Sequence, residues 1–464
     1  VLYYRDIRQG FPAFFMLCDD ISIFAASRKI LLRMNVNLPV TGYKLQSLAS
    51  GKIFDDRGWT LDAPGEETPT LIRAVYESKQ IGLKNDDLGL YKFADWLPIR
   101  RTLNGSSAPV TFRSYGLADK LGLENLFITF SGWWPERGGL MKTCSFKETE
   151  AYSVCARLDP GTDRVLVVAS AGNTARSFAR VCSDNSIRLL LCVPEDTLEA
   201  LWFDEPLNDC VKLVASRSGC DYYDSIHLAG LVCKQDRFIP EGGAKNVARR
   251  DGMGTTVLSA AATIGVIPSW YFQAVGSGTG AIAAWEANLR LLADGRFGSR
   301  KMKLMLSQNA PFLPIHDAWK AHSRELLPLG DDLARQQVMQ IIAKVLSNRR
   351  PPYAITGGLY DALTDAGGDI LAASNDEALR AAALFEETEG IDIHPAAAVA
   401  LASLISTIKA KRIGTDETVM LNITGGGEKK FRSGRKLFYL KPSLVFGINP
   451  GVQEVVEKTT TLFG

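Results

Sequence analysis

YFQAVGSGTGAIAAWEANLRLLADG (residues 271–295) decides the fold class. An apolar, aromatic run leads into a glycine-rich turn, VGSGTGA (275–281), and then into a stretch with the apolar spacing of a helix. A strand that turns directly into a helix is the building unit of a parallel sheet covered by helices. The backbone amides of such a turn can cup a phosphate at the positive end of the helix, and Ser277 and Thr279 add hydroxyl donors. Gly276, Gly278 and Ala281 also fit the GxGxxA pattern of a dinucleotide fold. That fold needs an acidic residue at the tip of the next strand, where KMKLMLSQN (301–309) supplies Ser307 and Gln308 instead. A tight turn with no ligand is the plain alternative.

The same rhythm extends outward. VLVVAS (165–170), IRLLLCVP (187–194), VKLVAS (211–216) and TVMLNIT (418–424) read as buried strands. TARSFARVCSDN (174–185), DSIHLAGLVCKQ (224–235) and HPAAAVALASLISTIKAKR (394–412) read as helices, and Asp331 to Arg350 as a further helix before the polar insert NRRPPYAITGG (348–358). The expected architecture is α/β, with two α/β domains whose parallel-rich sheets flank a cleft. Residues 101–154 and 271–440 form the larger domain and 155–270 a smaller, mobile one. Residues 41–100 read as an irregular lobe, 441–464 as a C-terminal tail, and 1–40 as an extension outside the fold.

Composition excludes several classes. The 464 residues carry 53 Lys and Arg against 51 Asp and Glu, so a net charge of +2 gives no field for nucleic acid or an acidic membrane surface. The eight cysteines contain no CxxC pair and most lie in apolar runs, which reads as buried, reduced thiols of a cytoplasmic protein. Four histidines are too few for a His-rich metal site. The apolar stretch FPAFFMLCDDISIFAAS (11–27) is interrupted by Asp19 and Asp20 and is too short to span a membrane.

Three further stretches carry chemistry. SAGNTA (170–175) lies between a strand and a helix, so its free amides suit a carboxylate, and Asn173 can donate to a phenolate oxygen or simply cap the helix. KTCSFKETEAYSVCARL (142–158) puts Lys147 at the opening of a helix, where the positive field disfavours the ammonium and favours the neutral amine. NITGGG (422–427) ends a buried strand in Thr424, whose hydroxyl can meet a pyridine nitrogen without protonating it, and in glycines that let a flat ligand approach.

The order SFK, SAGN, GSGTG and Thr-Gly resembles the fold type II (tryptophan synthase β-like) pyridoxal-phosphate (PLP) enzymes, and among them the threonine synthase branch. SFKETEAYSVCARL, VVASAGNTARSFARVCSDN, FIPEGGAKNVARRDGMGTT and AVGSGTGAIAAWEANLRL are similar to the cysteate synthase family of coenzyme M biosynthesis, with the likeness running from about residue 41 to about residue 430. The resemblance implies that Lys147 carries PLP as a Schiff base and is the catalytic residue. By the same resemblance Asn173 bonds the ring oxygen, Gly276, Ser277, Gly278, Thr279 and Gly280 hold the phosphate, and Thr424 faces the ring nitrogen. It implies O-phospho-L-serine and sulfite as substrates, L-cysteate as product, and a homo-oligomer. Ser170, Ala171, Gly172 and Thr174 are then the candidates for the substrate carboxylate. Arg176, Lys245, Arg249 and Arg250 are the candidates for the two substrate anions, with Lys142 and Arg113 as weaker ones. Threonine synthase, using phosphohomoserine and water, is the nearest rival, and a PLP-binding relative without catalysis the other. Ser47, Ser50 and Ala63 stand where such relatives carry cysteines, so no zinc is expected and the order of that lobe is in question.

Overall fold

The computed structural model describes residues 41–170 and 172–464; the expected 1–40 extension and Ala171 lie outside the described residues. Its larger sheet runs Asp369–Ala373, Lys303–Asn309, Trp270–Ala274, Thr418–Ile423, Asn125–Phe130 and Val110–Arg113. All neighbours are parallel except the last pair, which is antiparallel at the edge. The smaller sheet is parallel throughout, in the order Phe238–Pro240, Val165–Ala169, Leu189–Pro194, Val211–Ser216 and Leu444–Phe446. These strands are near-continuous apolar runs because parallel strands are covered on both faces. On the larger sheet the helix Pro395–Lys409 inserts Val399, Leu401 and Leu404, all fully buried, and Pro395 opens it where an absent N–H costs no bond. The SAGN, GSGTG and TGGG loops each follow the carboxyl end of a parallel strand, the end at which α/β sheets bind ligands.

Several boundaries differ from the sequence reading. The 441–464 segment is no tail: Leu444–Phe446 pairs with Val214–Ser216, and Phe446 and Val455 enter the same core as Leu228 and Val232. Three residues were too short a run to show as a strand. The helix Val247–Ile264, expected within the smaller domain, packs on the Lys147–Arg157 and Thr279–Asp294 helices of the larger one. Its glycines permit this, since a Cβ on Gly252 would lie 2.5 Å from the Thr149 carbonyl oxygen and one on Gly254 3.2 Å from that of Ala283. The helix read over Asp331 to Arg350 ends at Gln340. Beyond it the side-chain oxygens of Asn375 and Asn309 accept the N–H groups of Ile342 and Ala343, which draws the chain off the helical path and into the cleft.

The 41–100 lobe is also more regular than its Gly and Pro punctuation suggests. Tyr43–Ser47, Ile53–Phe54 and Ile72–Tyr76 form an antiparallel sheet, and Tyr91, Phe93 and Trp96 are buried. Arg157, wholly buried, pins the lobe from the Lys147–Arg157 helix. It donates to Asp56 at 2.8 and 3.1 Å, to the Thr60 carbonyl at 2.9 Å and to Asn246 at 2.9 Å, while Tyr43 donates to Asp56 at 2.6 Å. Against its burial, Arg157 and Tyr43 hold the Asp56 carboxyl below its ordinary value. Where the sequence lacks a metal knuckle, this charge-assisted network ties the lobe down.

Candidate active site

Lys147 is the first residue of its helix, and the preceding Phe146 N–H donates to the Thr424 carbonyl at 3.0 Å. That bond fixes the helix start against the end of the Thr418–Ile423 strand. The Lys147 side chain stays 20% exposed and its Nζ donates to Glu150 Oε2 at 3.2 Å. Burial, with Arg249 acting the same way, lowers the affinity of this amine for a proton, and Glu150 opposes them. Desolvation is thus the first cause of the shift.

Asn173 opens the helix Asn173–Asp184, where Gly172 occupies the cap position, so the amide does not cap the helix. Its Oδ1 meets Arg176 Nη2 at 3.0 Å. A guanidinium only donates, so the oxygen must face it and the amide NH₂ is left for a ligand. Ser170 Oγ accepts the N–H groups of Gly172 at 3.2 Å and Ala175 at 3.1 Å, folding the loop on itself, and Thr174 Oγ1 donates to Glu150 at 3.0 Å. In the GSGTG loop Gly278 adopts φ +78° and caps the helix Thr279–Asp294. Among the described residues, the N–H groups of Gly276, Ser277, Gly278 and Gly280 have no protein acceptor. The hydroxyls of Ser277 and Thr279 lie 2.9 Å apart beside them. One cavity touches Lys147, Asn173, Gly276, Ser277 and Thr424. PLP has a phosphate, a phenolate oxygen, a ring nitrogen and an aldehyde. The unpartnered amides, the Asn173 NH₂, the Thr424 hydroxyl and the Lys147 amine match these four in chemistry, so the residues present fit the group.

The three glycines after Thr424 serve another purpose than the one expected. A Cβ on Gly425 would lie 2.3 Å from His394 Nδ1 and 2.9 Å from the Cys144 carbonyl oxygen, one on Gly426 2.5 Å from that of Asp392, and one on Gly427 1.9 Å from that of Trp133. They admit the protein's own backbone and the His394 ring.

The basic candidates separate clearly. Lys245 is at the surface, 2.6 Å from Asp62. Arg250 is fully buried on Glu286 at 2.9 Å and on the carbonyls of Ile72 and Ala244. Consecutive residues point about 100° apart on a helix, so only Arg249 of this pair can face the cleft. Arg249 lines the cavity beside Lys147 but is held by Glu150 at 2.8 Å and by Glu241. Arg176 is buried, donating to the carbonyls of Thr143 at 2.9 Å and Ala200 at 2.8 Å, with its guanidinium 4.2 Å from the Trp202 ring centroid. Arg113 and Lys142 lie outside this cavity, on the Glu124 carbonyl and near Asp204.

Sequence reasoning missed three features of the cleft. Lys344 reaches it from the segment that left the helical path, its Nζ on the carbonyls of Val338 and Met339. His394 Nε2 lies 3.0 Å from Glu428, whose carboxyl is brought down to about 2, against its burial, by His394, Arg176 and Arg432. Glu150 was the one legible miss, because a residue three positions after a helical lysine shares its face.

A family model described as pyridoxal-phosphate dependent enzyme matches residues 130–425. The cysteate synthase of Methanosarcina acetivorans is 47% identical over 388 residues, covering 83% of this chain and 93% of its own. That of Methanocella paludicola is 48% identical over 377 residues, covering 81% and 88%. Among solved structures, maize serine racemase shares the fold at a TM-score of 0.52 and 15% identity, over 69% of this chain and 88% of that one. No helix among the described residues is long and apolar enough to cross a membrane.

Proposed function

The chain belongs to the PLP-dependent enzymes and, within them, to the cysteate synthase family, and from that premise we propose that it converts O-phospho-L-serine and sulfite to L-cysteate and phosphate. The observation that carries this reading is the convergence of the Lys147 amine, four unpartnered amides and the Thr424 hydroxyl on one cavity. Bound PLP draws electrons from the substrate's Cα, which loosens the Cα proton and lets a β substituent leave. Lys147 Nζ takes that proton and later returns it to the same carbon. Its burial favours the neutral amine that can accept a proton. The Cβ–O bond breaks with its electron pair on phosphate, a sulfur lone pair of hydrogensulfite forms the Cβ–S bond, and the hydrogensulfite proton ends on the phosphate.

The other residues bind and orient. The 276–280 amides would hold the cofactor phosphate with no cation of their own and the Asn173 NH₂ would meet the ring oxygen, while the N–H groups of Asn173 and Thr174, which no acceptor among the described residues takes, would receive the substrate carboxylate. Thr424 meets the ring nitrogen with a neutral hydroxyl, which favours loss of a β group over reactions that need a long-lived carbanion. Lys344, whose Nζ is on backbone carbonyls and not on a carboxylate, supplies positive potential where the two anions meet, while the charge of Arg249 beside it is offset by Glu150 and Glu241. Closure of the smaller α/β unit keeps water from adding in place of sulfite. A self-associating cytoplasmic enzyme is the setting we propose, in keeping with seven free cysteines among the described residues.

The test is to incubate the PLP-loaded protein with O-phospho-L-serine, with and without sulfite, and follow phosphate and amino acids together. Cysteate formed only with sulfite is the expected result. Threonine from phosphohomoserine, with phosphoserine inert, would replace this reading by the threonine synthase one.

A further inference from the structure

Glu150 is fully buried, yet its carboxylate receives four donors from three parts of the chain. These are Lys147 Nζ at 3.2 Å, Arg249 Nη2 at 2.8 Å and Nε at 3.1 Å, and Thr174 Oγ1 at 3.0 Å. A buried ion pair is a weak source of stability, because desolvating two charges costs several kcal/mol. Arg249 does not require this carboxylate either, since Glu241 pairs with it from the other side. Lys147, in contrast, has no second carboxylate within ion-pair distance among the described residues. Tyr222, Arg249 and Glu241 are the other titratable groups that face the pair from neighbouring elements, and Lys344 lines the same cavity. Thr174 joins the same carboxylate to the loop expected to hold the substrate.

We propose that Glu150 is the positioning residue for Lys147: it receives the amine whenever the lysine is free of cofactor, and it balances the charge of the proton that the amine takes from Cα. An amine acting as a base becomes an ammonium, and in a desolvated site that charge is costly unless an opposite one is already in place. The inference rests on Lys147 being the cofactor lysine.

Its test begins with the cofactor-free protein. Brief labelling with acetic anhydride across a pH series, with the Lys147 peptide quantified by mass spectrometry, gives the midpoint at which the amine loses its proton. Glu150→Gln should lower that midpoint by about one to three pH units, the effect of removing an opposite charge at this range. In the PLP-loaded enzyme the same variant should lose about 10- to 100-fold in kcat, with little change in KM for O-phospho-L-serine. Glu150→Asp keeps a charge beside Arg249 but ends one methylene short of the amine, so it should shift the midpoint less and recover part of kcat. A wild-type midpoint, or a wild-type kcat, in both variants overturns the proposal. If the Gln variant does not fold, the Asp variant decides alone by the same two readings. A mistaken substrate assignment shows itself separately, as a wild-type enzyme that makes no cysteate, and leaves the labelling midpoint informative.

Discussion

Two glycine-rich loops follow neighbouring parallel strands of the larger sheet, and they use their glycines in opposite ways. At 276–280 the amides of Gly276, Ser277, Gly278 and Gly280 are left without protein acceptors beside a helix start. At 425–427 the Gly426 N–H donates to the Cys144 carbonyl at 3.1 Å and the Gly427 N–H to that of Asp392 at 2.9 Å. Gly427 also holds φ +75° with its missing Cβ directed at the Trp133 carbonyl. The first loop leaves its donors free and the second spends them on the fold. Between them lies the Phe146–Lys147 helix start, bonded to Thr424 on one side and, through the Phe146 ring, 3.3 Å from a Cβ that Gly280 lacks on the other.

The comparison can be broken at four points. Lys147→Ala removes the group both loops surround, and sulfite-dependent cysteate formation should fall at least about a thousandfold; turnover at the wild-type rate would remove the lysine from the chemistry. Gly427→Ala should lose about 3 kcal/mol or more in urea unfolding, because neither the backbone angle nor the carbonyl beside it can accommodate a methyl group.

Glu148 reports on the helix start through pH. Burial raises its carboxyl to about 7 from an ordinary 4.5, against the hydrogen bonds from Thr143. The folded chain therefore keeps this proton up to about pH 7 while the unfolded chain releases it near 4.5, so stability drains away as pH rises between the two. Glu148→Gln cannot lose a proton, and its urea midpoint should gain on the wild type across that window and hold a constant lead above it, worth about 3 kcal/mol. Parallel curves would mean that the carboxyl titrates normally. The smallest effect belongs to Gly276→Ala, whose Cβ would sit 3.0 Å from Leu346 Cα and the Val345 carbonyl oxygen. About 1 kcal/mol of stability and about a tenfold weaker PLP affinity by equilibrium dialysis are expected. A variant that unfolds like Gly427→Ala but binds PLP normally would reverse the roles of the two loops.

Much of this is legible in the sequence. The strands at 165–169, 189–194, 211–216 and 418–423 are runs whose burial on both faces shows in their composition, and the loops that follow three of the parallel strands carry their chemistry in adjacent residues. The strand Leu444–Phe446 was not legible, because three residues exist as a strand only through pairing with Val214–Ser216, more than two hundred positions away. The Arg249 and Arg250 pair shows the same limit at one site. Both are arginines in one stretch, and the choice between cleft and core came from where Glu150, Glu241 and Glu286 happened to be folded.

What the chain determined by itself is what depends on residues close together: the alternation of strand and helix, the glycine turn that leaves amides at a helix start, and a lysine at the head of a helix. What only the tertiary structure decided is which groups are left free. An amide, an arginine or a carboxylate becomes available to a ligand when no distant segment satisfies it, and those segments are brought near by packing rather than by sequence.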